Sequence, residues 1–144
     1  MTSEMSADIF ARLYIAWLRH DRTSFEHLYA LYHKKMEKMA CSLSPPCLDA
    51  IRIMAQMTHG LRDLMRNRPL SGVRHLKQAA TMENEMVQEH GIPIVIKPAS
   101  ELLANVLYQQ GSMMEALQYL NISNKYFPNR RAANALFESI ERRK

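Results

Sequence analysis

Six histidines, two cysteines and the acidic run MENEMVQEH are the parts of this 144-residue chain that could carry chemistry. His20 and His27 lie seven apart and His27 and His33 six apart, so the second pair falls off one helical face. HExxH and paired Cys/His spacings are missing, which points to surface or hairpin-contact histidines and to no metal site. Cys41 and Cys47 flank SLSPP without a second pair, the pattern of two reduced, partly buried thiols. Glu85 and Glu89 are four apart, and like charges at that step suit a solvated face better than acid–base work. The chain has neither a phosphate-cradling glycine loop nor GxSxG, and it offers no assignable nucleophile–base pair. The reading is a chain with no catalytic residue and no cofactor, and hence not an enzyme.

The elements that would position these groups are helical. Hydrophobic residues make up 47% and charged residues 23%, an ordinary globular balance, while the 4 glycines and 6 prolines are few and the 11 methionines many. In residues 7–19, Ile9, Phe10, Leu13, Tyr14, Trp17 and Leu18 form one stripe at helical spacing. HDRTS interrupts it and supplies Thr23 and Ser24 as N-cap candidates. Phe25, Leu28, Tyr29, Tyr32, Met36 and Met39 mark a second helix, ended by SLSPP. Periodicity then gives helices over about 48–66, 71–89, 98–110, 113–126 and 130–142. IPIVI alone looks strand-like, and one short run makes no sheet. The fold class is all-α: about seven helices in a single domain, with hairpins over 7–40, 48–89 and 98–126 and a capping helix over 130–142.

Spacing also suggests a repeat. Leu103 and Ala104, then Leu107, Gly111, Ala116, Leu120 and Pro128 place small residues where two helices approach, glycine at a helix end and proline at an exit. Pairing Gly111 with Asn67, Ala116 with Gly72 and Leu120 with Leu76 gives an offset of 44 residues each time. Gly60 takes the small position of that earlier hairpin. The first hairpin fits less well, with His20–Asp21 at its turn and Phe25 where alanine is wanted.

This order of residues resembles the tetratricopeptide repeat. From Leu48 to Glu138, LKQAATMENE followed by GIPIVIKPASELLANVLYQQGSMMEAL and PNR is similar to the C-terminal arrangement of a bacterial family of such proteins. The resemblance implies a short solenoid of stacked antiparallel hairpins, a right-handed superhelix, serving as a protein-interaction scaffold. It also implies a concave wall formed by the first helix of each pair, with Tyr14, Trp17, Met57, Leu61, Glu101, Asn105 and Tyr108 facing a bound peptide or protein. Trp17, Tyr14 and Phe10 serve equally as core. Asn105 matches the asparagine with which chaperone-binding members hold a C-terminal carboxylate. Glu101 stands where that clamp has a basic residue, and its charge argues against such a ligand.

The net charge of +5 is scattered over helix ends, so nucleic acid is not the expected partner, although a helical-repeat RNA binder is the first alternative. Self-association as a homodimer is the second. The N-terminus lacks a basic region followed by an apolar run, and no apolar stretch approaches the roughly 20 residues of a membrane span. The expected setting is soluble and cytoplasmic, with no membrane partner. IPIVI reads either as a strap over the hairpins or as a segment narrowing the groove.

Overall fold

The computed structural model describes residues 2–39, 45–91 and 97–143. They form seven helices: α1 (Thr2–Leu18), α2 (Arg22–Met39), α3 (Pro45–Met65), α4 (Pro69–His90), α5 (Ala99–Gln109), α6 (Met113–Tyr126) and α7 (Arg131–Arg142). The all-α reading holds, and the described residues include no strand. None of the described helices is long and apolar enough to cross a membrane. Cys41 and the IPIVI segment lie outside the described residues. Pro45 and Pro46 begin α3, where the first turn has no intrahelical use for their missing N–H groups.

Three of the turns are built alike. His20, Asn67 and Gly111 have positive φ, at 55°, 60° and 86°. In each case the next residue's N–H reaches back across the helix end. Asp21 donates to the Ala16 carbonyl, Arg68 to Asp63 and Ser112 to Leu107, at 2.9, 2.8 and 2.9 Å. This bond, together with the left-handed residue, satisfies carbonyls that the helix end leaves free. The following helix then starts at once, because the carbonyls of Asp21, Arg68 and Ser112 accept from Phe25, Gly72 and Ala116. At the first turn it is the Asp21 side chain that caps α2, accepting from the Ser24 N–H at 3.1 Å. Thr23 and Ser24, the caps expected from sequence, lie inside the helix.

Equivalent turns create equivalent contact positions. Seven residues before each left-handed residue stand Leu13, Gly60 and Ala104, and five after it stand Phe25, Gly72 and Ala116, all buried. The middle pair leaves no space between helices. A Cβ on Gly72 would come within 2.8 Å of Leu64 Cγ and 2.9 Å of the Gly60 carbonyl oxygen.

The chain divides into two compact units, Met1–His75 and Leu76–Lys144, where the sequence reading has one domain. The boundary falls inside α4, which gives its first two turns to one unit and the remainder to the other. In the first unit α3 docks on both α1 and α2. Phe10, Leu13, Phe25, Tyr32, Met57 and Leu61 are wholly or almost wholly buried there. In the second unit α7 docks on both α5 and α6, with Leu102, Leu103, Leu120 and Ile140 buried. Each such side chain contributes about 1.5–3 kcal/mol when removed from water, so these clusters outweigh intrinsic helix propensity.

Gly72→Ala should lower stability by about 1–3 kcal/mol, since Leu64 or the α3 backbone must shift to admit the methyl group. Urea denaturation of the two proteins measures the difference, and a change below about 0.5 kcal/mol would mean that α3 and α4 have room to separate.

Candidate functional site

The first unit gathers three histidines that the sequence spacing leaves apart. His59 on α3 and His75 on α4 each lie eight residues from Asn67, so the hairpin sets them side by side, with ring centroids 5.6 Å apart and nearly stacked. His33 on α2 approaches His59 to 4.7 Å and Tyr29 to 4.2 Å. Tyr29 closes the group, its hydroxyl 2.6 Å from His59 Nδ1.

Hydrogen-bond counting assigns the protons. Thr58 donates its one hydroxyl hydrogen to the Ala55 carbonyl at 2.8 Å, so its contact with His33 Nε2 at 3.2 Å has the imidazole as donor. The Tyr29 phenol is the stronger acid of its pair and donates to His59 Nδ1. His75 Nδ1 donates to Gln56 Oε1 at 2.9 Å, while its Nε2 faces Asp63 Oδ2 at 3.5 Å. His75 therefore has an acceptor at both nitrogens, whereas His33 and His59 are held as neutral rings.

The electrostatics agree with that division. Burial, then the nearby His59 and Arg62, pushes His33 down to about 4. His59 is lowered by burial first and by His75 next, with Asp63 opposing. Arg62 lies over the Tyr29 ring at 4.3 Å and pairs with Glu26 at 3.2 Å, as does Arg66 at 3.2 Å. Burial also raises the Tyr29 phenol. Ser71 donates to Asp63 Oδ2 at 2.5 Å, the same oxygen that His75 faces. Serine, aspartate and histidine thus meet with the carboxylate in the middle, an order that does not activate a hydroxyl. Among the described residues no group of three or more His, Cys, Asp or Glu side chains is placed to hold a metal ion.

The second unit holds a buried charge cluster. Glu83 on α4 accepts from the Ala99 N–H with both oxygens, at 3.1 and 2.9 Å, and so caps α5 from outside, where Pro98 has no side-chain cap to give. Burial dominates these hydrogen bonds and pushes its carboxyl up to about 7. Glu101, fully buried, lies 3.0 Å from Lys97 Nζ and accepts from Arg130 Nε at 3.1 Å. The Lys97 contact is an ion pair whose alignment falls short of a hydrogen bond. KPA, ELL and PNR therefore meet at one point.

The residues expected to face a partner divide by exposure. Trp17, Met57, Leu61 and Glu101 are buried at 8%, 1%, 0% and 0% exposure, so they are packing residues with little or no surface to present. Glu101 is a correction with a plain cause, since its carboxylate is held by two cations inside the fold. Tyr14, Asn105 and Tyr108 are half-buried. Tyr14 lies 5.9 Å from the Trp17 ring, and Arg143 from the end of α7 stands 4.9 Å over Tyr108. Of the sequence-stated chemistry candidates, His20 occupies a left-handed turn, while His27, Glu85 and Glu89 are exposed. His59 and His75 form a hairpin contact, and their equal distance from the turn at Asn67 is the sequence signal for it.

No protein-family model, curated protein or solved structure matches the chain.

Removing one partner from a buried ion cluster is severe. Glu101→Ala should cost about 3–5 kcal/mol, because it removes the buried carboxylate that Lys97 and Arg130 share, whereas Arg131→Ala at an exposed site stays within about 0.5 kcal/mol. Guanidinium denaturation distinguishes them. Glu83 adds a pH signature. Its folded pKa, about 7, lies above the usual 4.5, so the folded state binds the extra proton between these values. Its stabilising contribution is complete below about pH 4.5 and is lost as pH rises through about 7. Glu83→Gln should remove that slope from a plot of stability against pH, and an unchanged slope would assign it elsewhere.

Proposed function

We propose that the chain is a non-enzymatic interaction module whose stacked hairpins, a short tetratricopeptide-like solenoid, bind a protein or peptide segment through their first helices. The observation that carries this reading is the repeated register. Tyr14 and Asn105 each lie six residues before a left-handed turn residue, and Tyr108 lies three before, while Leu13, Ala104, Val106 and Leu107 beside them are buried. Repeated turns thus leave a polar or aromatic side chain partly accessible at equivalent points on α1 and α5. Phenol and carboxamide groups at such positions suit an extended polypeptide, since they supply flat contact area and both donor and acceptor atoms. The docking of α3 onto both α1 and α2, repeated by α7 on α5 and α6, is the nearest-neighbour packing on which helical-repeat scaffolds rest.

Selection from a displayed peptide library should enrich a sequence family that binds the purified chain. Asn105→Ala and Tyr108→Ala should each weaken the selected peptide about tenfold, as a truncated contact of about 1.4 kcal/mol implies. The reading fails if no family is enriched, or if the enriched peptides bind both variants as tightly as the parent. An affinity that instead falls steeply with salt on single-stranded RNA would favour the nucleic-acid alternative.

A further inference from the structure

We propose that the His33–His59–His75 column is a proton-operated fastener. With His33 and His59 neutral it holds α2 and the start of α4 against α3, and when they take up protons, like charges loosen these helices from one another.

Geometry carries the inference. Three imidazoles from three helices are joined through His59, whose ring centroid lies 4.7 Å from that of His33 and 5.6 Å from that of His75. The central ring is held by Tyr29 on α2 and stacks on His75 of α4, so His59 touches two of the elements that meet α3. In its neutral form His59 accepts the Tyr29 hydroxyl. A proton on Nδ1 removes that acceptor, forces the phenol hydrogen away and sets a cation beside the His33 ring and the Arg62 guanidinium. His33 loses less, because Nε2 still donates to Thr58, but its charge sits beside that of His59.

The surrounding charges set the sign. Arg62 of α3 and Arg66, just beyond its end, are engaged by Glu26 of α2, and Arg62 lies against Tyr29, so the near flank is cationic. Asp63 is the one acidic group of α3 facing the column, and it is shared by Ser71 and His75 of α4. One carboxylate offsets one imidazolium, and His33 and His59 together bring two. Both His33 and His59 are held below the usual value of 6.5, so the unfolded or opened state binds their protons first. The fastening is complete above about pH 6.5 and is lost as pH falls toward about 4. Glu83, in the other unit, acts with the opposite sign over an overlapping range, so the readout must be local.

The test is a titration of the intact chain with isotope-labelled histidine, followed by NMR from pH 8 to pH 4. His33 and His59 should appear as Nε2–H tautomers at pH 8 and titrate below 6.5 in coupled steps. Over the same range amide exchange in α2 and α3, corrected for its intrinsic pH dependence, should speed by about tenfold or more. In His59→Gln, which keeps an acceptor for Tyr29 and cannot charge, the His33 midpoint should rise by about half a unit or more and the extra exchange should shrink. Independent titration of both rings at the usual value overturns the proposal, as does exchange that is unchanged by pH. Should His59→Gln fail to fold, the parent's coupled steps and the converse shift of His59 in His33→Gln decide the matter.

Discussion

A helix that reverses within two residues leaves its last carbonyls without partners unless the chain turns left-handed at one position. That requirement is met three times here, at His20, Asn67 and Gly111, by the same backbone bond across the helix end. Once the turn is set, register follows. Positions seven before and five after it must face each other, whatever residues occupy them. Leu13 and Phe25 place large buried side chains at these positions, Ala104 and Ala116 place buried methyl groups, and Gly60 with Gly72 brings backbone close to backbone. Only glycine carries the left-handed conformation without strain, so histidine and asparagine hold the other two turns at a small local cost.

The same reversal brings polar groups together as firmly as apolar ones. His59 and His75 meet because they are equidistant from Asn67. In the second unit Glu83 reaches the exposed N–H groups at the start of α5, a helix that begins after proline and lacks a cap of its own. The two units solve the problem of burying polar groups differently. One keeps imidazoles neutral and hydrogen-bonded, which removes the cost of burying charge. The other buries the full charge of Glu101 and balances it against Lys97 and Arg130. Both arrangements tie at least three segments of chain together, so each specifies packing beyond what apolar contact alone would fix.

The helices were legible because apolar side chains recur every three to four residues and because Gly, Pro and Asn punctuate them. The boundaries of α6 agree at both ends, and those of α5 and α7 to one residue. The repeat offset of 44 residues coincides with the spacing of two of the matching turns. The misfit of the first hairpin lies in its side chains and not in its turn, which follows the other two. The cap of α2 was misplaced because Asp21, Thr23 and Ser24 are all competent acceptors, and only the backbone angle at His20 selects among them.

Local sequence thus determined helix content, turn positions and the pairing of neighbouring helices, all of which depend on interactions within a few residues or across one reversal. It could not determine which polar side chains end up inside. Glu101 has the type expected of a groove residue and the surroundings of a buried ion, because Lys97 and Arg130 arrive from just ahead of α5 and from a later turn. His33 joins His59 across 26 residues of sequence, and no periodicity relates them. Burial and proximity of charge depend on how separate elements pack, and that was decided by the tertiary structure alone.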